Sequence, residues 1–472
     1  MVNVTITTKQ SSHQVIERFT RFDWEPVSNK KHVVLLLTMG DFVREPKDCQ
    51  DTNMIHDNAD LIAKIRGRFA HVESCPFQGP RIFFENAGGA LTLNSVVETS
   101  TKFAAIPDNQ GRDNPASYAL VNIIARAKAD LAVFMNAQSG QFFAGESGTE
   151  LLFRLIRTAC VNAPKGSKLI GSSIEHPASR SAAHRWADVA GLDYVNVQHS
   201  DELGLVSAAD YAAAMTPDVA VATILHASPV TGMAMDVARI SQAIRDVAPN
   251  CVIIVDGIQH AAHGLLDLDA YNVDGYVISP YKVFSRHGYG IAWISDQLSA
   301  VPHDMLIDGP AEGWEFGTRD TGAYATMSDV VAYFDWLGGE ISQETDQRKR
   351  IETAGAAIHA QEMALTNAMI NGVGNLPGLC DMEHVTILGG ENNPAREGLV
   401  SIVVEGIASP DVVTLLNDEG IRTHLRKADH YSGNVLDPLG LNDCIRISMC
   451  HYNTVGEVAQ LLGVLKKLAE TR

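Results

Sequence analysis

Two strand-like runs in this chain end in opposite charges: CVIIVDGIQ leaves Asp256 at its close, and GYVISPYKV leaves Lys282. An acid after a run of β-branched residues is either solvated at a sheet edge, caps a helix, or meets a positive partner. A lysine at a buried strand end is less usual, because burial of an isolated charge is costly and lowers the amine pKa. Such a lysine is either neutralised by pairing or used as an amine nucleophile toward a carbonyl. If the two runs are neighbouring strands, acid and amine face one crevice, with Gln259 between them. A pyridoxal cofactor needs both groups. The lysine forms a Schiff base, and a carboxylate keeps the pyridine nitrogen protonated so that the ring accepts electrons.

Such a cofactor also needs an anion site. GESGTELLFRL places Gly145, Ser147, Gly148 and Thr149 just ahead of a strongly periodic helix. Free backbone N–H groups and the dipole of a helix start bind phosphate, and a hydroxyl adds a donor. The same residue types also serve as plain helix caps. No lysine follows the second glycine, so the stretch is not a nucleotide-binding P-loop.

These pieces sit in an alternating pattern. From about residue 95 to 340, helical segments such as NPASYALVNIIARAKADLA alternate with KLIGSSIEH, LDYVNVQ, VAVATILHAS, CVIIVDGIQ, GYVISP and GIAWIS. Short apolar strands alternating with helices predict an α/β fold with a mostly parallel sheet covered on both faces. Ligands then bind beyond the carboxyl ends of the strands. After a long charged helical stretch, HVTILGG, GLVSIVVEG and CIRISMC alternate with helices as a smaller C-terminal α/β domain. The expected division is an extension over 1–80, a large cofactor-binding domain over 81–340 and a small domain over 341–472. The extension contains one strand-like run, HVVLLLTM, and a helical pattern, DNADLIAKIRGRF.

A formal charge of −19 argues against nucleic acid or anionic membrane as the main partner. The seven cysteines are dispersed without a CxxC pair, which speaks against zinc ribbons and fits free thiols. No metal site is expected. The beginning of the chain has neither a basic region nor an apolar core of a signal peptide, so the expected setting is the cytoplasm.

VDGIQHAAHGLLDLDAYNVDGYVISPYK resembles the cofactor segment of the class V aminotransferase and cysteine desulfurase family, pyridoxal-phosphate enzymes of fold type I. The matches are Asp256, Gln259, His263, Asp267, Asp274, Ser279 and Lys282. FFENAGG, SGTE, IEHPA, HASPVTG, FGTRDTG and RISMCHYNT resemble further family segments in the family's order, over roughly residues 80–460. The resemblance implies that Lys282 carries pyridoxal 5'-phosphate and shuttles a proton, and that His176 stacks on the ring. Asp256 would pair with the ring nitrogen, and Gln259 would donate to the phenolic oxygen. Gly148, Thr149, Ser279, Tyr281 and, from a second subunit, Thr318 would hold the phosphate. Asn86 and Arg446 would bind substrate, the arginine gripping its carboxylate as a two-pronged fork.

There are departures from the family. Tyr281 stands where histidine is common, and Pro229 where asparagine is. Tyr431 falls where desulfurases of the family carry a nucleophilic cysteine, while Cys444 and Cys450 flank Arg446 inside a strand-like run. The expected function is therefore a pyridoxal-phosphate enzyme acting on a small α-amino acid, nominally an aminotransferase, in a homodimer with shared active sites. Alternatives are a β- or carbon–sulfur lyase, a carbon–carbon bond-forming or decarboxylating enzyme, and a non-catalytic binding protein on the same fold.

Overall fold

A computed structural model of the chain describes residues 55–310 and 313–470. The strand expected at HVVLLLTM, and the extension up to residue 54, lie outside the described residues. Seven strands form the larger sheet: β1 (Gln141–Gly145), β2 (Lys168–Ser172), β3 (Asp193–Val197), β4 (Val219–Leu225), β5 (Val252–Asp256), β6 (Gly275–Ile278) and β7 (Gly290–Ile294). They lie in the order β1-β7-β6-β5-β4-β2-β3. β7 runs antiparallel to both its neighbours, and the other pairings are parallel.

Side chains alternate along each strand and feed two cores. Phe143, Leu169, Val221, Ile254, Val277 and Ala292 pack on one face with the Gly148–Asn162 and Pro177–Ala190 helices. Their sequence neighbours, including Ala144, Ile170, Ala222, Ile253, Ile278 and Ile291, pack on the other face with helices Pro115–Met135, Val237–Val247 and Thr321–Ile341. The sheet is thus covered on both sides, as the continuous apolar runs require.

A second, antiparallel sheet follows: β8 (Val385–Ile387), β9 (Leu399–Val404), β10 (His424–Lys427) and β11 (Asp443–Ser448), in the order β8-β9-β11-β10. Ile402, Ile445 and Ile447 face a core shared with helices Gln347–Asn371, Ser409–Asp418 and Val455–Glu470. Alternation sends Cys444, Arg446 and Ser448 to the opposite face. There Ser401 Oγ donates to Val230 O at 2.6 Å and Arg446 Nη1 donates to Pro229 O at 3.0 Å. These bonds dock the small sheet on the loop after β4.

The helical pattern near residue 60 forms Ala59–Arg66, capped by Asn58, whose side chain accepts from Leu61 N at 3.0 Å. Arg66 reaches the closing segment, donating to Tyr452 O at 2.7 Å and pairing with Glu457 at 3.1 Å.

Candidate active site

The carboxyl ends of β1, β2, β5 and β6 lie along one edge of the sheet. β5 and β6 are adjacent, so Asp256 and the turn carrying Lys282 emerge side by side. Asp256 is buried, and its oxygens accept from Ile258 N at 3.1 Å and Ser179 Oγ at 3.4 Å. Burial pushes its carboxyl up to about 6, against the pull of the Lys282 charge.

Lys282 ends a single 3-10 turn, Pro280–Lys282, that breaks out of β6. Two backbone bonds tie this turn and the residues after it to the loop before the Asn94–Ala104 helix: Ala90 N to Tyr281 O at 3.1 Å and Leu93 N to Phe284 O at 2.9 Å. Phe284 takes a left-handed backbone (φ 63°) while its ring is fully buried among Phe69, Phe334 and Tyr452. That conformation is costly for a bulky residue, and packing of the ring holds it in place. The Lys282 amine donates to Gln259 Oε1 at 3.0 Å. Burial, reinforced by the Arg446 charge, lowers the amine to about 7.

Gln259 is held from behind. Its Nε2 lies 3.3 Å from His263 Nε2, and His263 Nδ1 lies 2.8 Å from Glu362 on the Gln347–Asn371 helix. Burial opposes a charge on His263, but Glu362 prevails and raises it to about 9.

His176 caps the Pro177–Ala190 helix, its Nδ1 accepting from Ala178 N at 3.1 Å. Burial, then the Lys282 and Arg426 charges, hold this imidazole down to about 3, so it is neutral. Its ring centroid lies 6.3 Å from that of Tyr431. Glu175, beside it, is buried, accepts from Ser172 N at 2.9 Å and Thr223 Oγ1 at 2.8 Å, and is pushed by burial up to about 7.

The helix start at Gly148 is built from bare backbone. A Cβ on Gly148 would come within 2.5 Å of both Ser279 Oγ and Ile258 Cδ1, and one on Gly290 within 2.6 Å of Gly148 N. Ser147 caps the helix, and the Thr149 side chain is exposed beyond it. Ser279 is buried directly opposite Gly148. This cradle, the amine and the buried carboxylate are the donor set a phosphorylated pyridine aldehyde requires, and the residues fit that group.

Arg446 lies on β11 with 2% exposure, and its Nε has no hydrogen-bond partner among the described residues. Burial and the neighbouring Arg426 charge lower its guanidinium to about 9. A Cβ on Gly88 would stand 3.4 Å from Arg446 Nη2, so the FFENAGG turn skirts the guanidinium closely. Asn86 in that turn is buried. Its amide donates to Ser448 O at 2.8 Å and its oxygen accepts from the Tyr452 hydroxyl. The Tyr281 ring stacks on His287 at 4.4 Å and lies against Gly89. Thr318 is exposed, and its neighbour Arg319 pairs with Glu146, ahead of the Gly148 helix.

Cys444 and Cys450 are buried. Burial pushes the Cys444 thiol up to about 11 and Cys450 well above the ordinary range, so neither is a ready thiolate. Tyr431 occupies the rim near His176. Motif spacing does not mark Glu175, Glu362 or Arg426: Glu175 stands beside His176 in IEHPA, Glu362 meets His263 from far along the chain, and Arg426 is placed by the β10–β11 ladder.

A fold of this kind, with an amine, an acid and an anion cradle at one sheet edge, defines a cofactor-dependent enzyme. The family model for aminotransferase class-V matches residues 82–461, and the chain belongs to that family. Members of the family use pyridoxal phosphate, so this chain is a pyridoxal-phosphate-dependent enzyme, a transferase or a lyase. It is 25% identical to the aminotransferase-like protein FGM3 of Gibberella zeae, over 86% of this chain and 98% of that one. The nonribosomal peptide synthetase-like enzyme fsqF of Aspergillus fumigatus is 26% identical over 82% of this chain, which spans only 26% of that protein's length. Among solved structures, the cysteine desulfurase of Thermococcus onnurineus superposes with a TM-score of 0.71 at 22% identity, covering 83% of this chain and 95% of that one.

Proposed function

We propose that the enzyme acts on a small α-amino acid as an aminotransferase, without passing sulfur through a cysteine. The observation that carries this reading is the Lys282 amine, which donates to Gln259 at 3.0 Å beside the buried Asp256, within reach of the charge of the buried Arg446, whose Nε has no partner among the described residues.

Gly148, Thr149 and Ser279 would hold the cofactor phosphate, with the Tyr281 phenol and a partner subunit's copy of Thr318 as further donors. Asp256 would keep a proton on the ring nitrogen. Its raised pKa measures the cost of its buried charge, which a cationic pyridinium partner offsets. The neutral His176 ring would cover one face, and the Gln259 amide would donate to the phenolic oxygen. When bound, pyridoxal phosphate draws off the electron pair left at the substrate's α-carbon. Arg446 would grip the substrate carboxylate and orient the α-carbon, while Lys282, near neutral pH both an acceptor and a donor, would move the proton there. Asn86 would brace the turn beside Arg446 and leave contact with substrate to the arginine.

Tyr431 at the rim, in place of a thiol, favours transamination over desulfuration. We also read the protein as a homodimer of the cytoplasm. The exposed side chains of Leu306 and Ile307, on the segment leading to Thr318, support a covered surface there. No described helix is long and apolar enough to cross a membrane.

Incubation of the holoenzyme with amino acids and a 2-oxo acid tests the reaction. New amino acid and new oxo acid in equal amounts are expected. Release of sulfide from cysteine, abolished by Cys444→Ala or Cys450→Ala, would overturn the proposal.

A further inference from the structure

Arg426 is a second arginine whose charge bears on the crevice, acting on both His176 and Lys282. In the β10–β11 ladder, His424 stands opposite Arg446 and Arg426 opposite Cys444. Alternation therefore puts Arg426 and Arg446 on the same face of the small sheet as diagonal neighbours, a spacing their long side chains readily span. Arg426 donates from Nη2 to Tyr431 O at 3.3 Å, and its buried Nε has no partner. Arg446 donates from Nη1 to Pro229 O, and its Nε is likewise unsatisfied.

Neither guanidinium forms an ion pair among the described residues. Glu85, whose charge acts favourably on Arg446, is engaged by His424 Nδ1 at 3.0 Å. Asp429, which acts likewise on Arg426, accepts from Tyr431 N at 2.8 Å. The Arg426 charge bears on Arg446, and both bear on Lys282. Two guanidiniums side by side on one sheet face, neither held in an ion pair, are expensive, and the cost is recovered when anions arrive. The cofactor phosphate is provided for elsewhere, at Gly148 and Ser279. One α-carboxylate fills one guanidinium fork and leaves the other empty.

We propose that Arg426 and Arg446 form a two-anion subsite, and that the amino acid taken by this enzyme carries a second carboxylate on its side chain. The inference rests on the reading of Arg446 as the clamp for the α-carboxylate. Arg426 is then the specificity-determining residue, holding the distal acid between β10 and the Tyr431 rim.

The test is spectral titration of the holoenzyme with L-alanine, L-cysteine, L-aspartate and L-glutamate, in the native protein and in Arg426→Gln and Arg426→Lys. The native protein is expected to bind aspartate or glutamate at least about tenfold more tightly than alanine, a modest return for one charge-assisted pair. Arg426→Gln collapses that ratio toward one, and Arg426→Lys, which keeps the charge, restores part of it. A response to all four amino acids without preference for the acidic ones overturns this inference alone. Equal loss of alanine and acidic ligands in Arg426→Gln does so too. No response to any amino acid overturns it together with the function on which it rests.

Discussion

The Lys282 amine meets the Gln259 side chain at 3.0 Å, and that contact joins the turn after β6 to the turn after β5. Behind Gln259 stand His263 and Glu362, so the group facing the amine is fixed from a helix 99 residues beyond His263 in the chain. The crevice at the sheet edge is therefore braced by hydrogen bonds on the side where the cofactor ring would sit.

A Lys282 amine lowered to about 7 is protonated and unreactive below that value and free above it. The rate at which apoprotein combines with pyridoxal phosphate should rise as pH passes about 7 and then level off. An ordinary lysine, near ~10.4, would keep the rate climbing through the whole range. Arg446→Gln removes a positive neighbour, so the rise should move to higher pH. Stopped-flow absorbance across the pH range reads both.

Gly148→Ala should weaken cofactor binding. The added Cβ meets Ser279 Oγ and Ile258 at 2.5 Å, and the helix start must shift by displacing its N–H groups from the cradle. Overpacking of this kind costs about 1–3 kcal/mol, which corresponds to roughly a 5- to 150-fold loss of affinity. Equilibrium dialysis of pyridoxal phosphate would show it, and a fully bound variant would contradict the phosphate site.

The sequence carried much of this site and missed identifiable parts. Asp256 and Lys282 were legible because each is a charged residue closing or following an apolar run, and the Gly148 helix start because glycines and hydroxyls precede a periodic helix. β1, QFFAG, escaped because glycines bound it, and β10, HLRK, because its residues are polar toward the crevice. Arg426 went unnoticed with it. The setting of Asn86 was not legible for a related reason: its partners Ser448 and Tyr452 lie at the far end of the chain, and spacing cannot reveal a bond across that distance.

Asn86→Ala should accordingly act on stability. It removes the donor to Ser448 O and the acceptor of the Tyr452 hydroxyl, which keeps its bond from Leu91 N, at a cost of about 1–3 kcal/mol. Urea denaturation of the apoprotein should show a lowered midpoint. An unchanged midpoint with a raised KM would return Asn86 to the substrate.

The central claim is that Lys282 anchors the cofactor. Protein reconstituted with pyridoxal phosphate, reduced with borohydride and digested should yield one labelled peptide, with the added mass on Lys282. Lys282→Ala should give none while remaining folded. A label on another lysine, or a native protein that takes up no cofactor, would contradict the account.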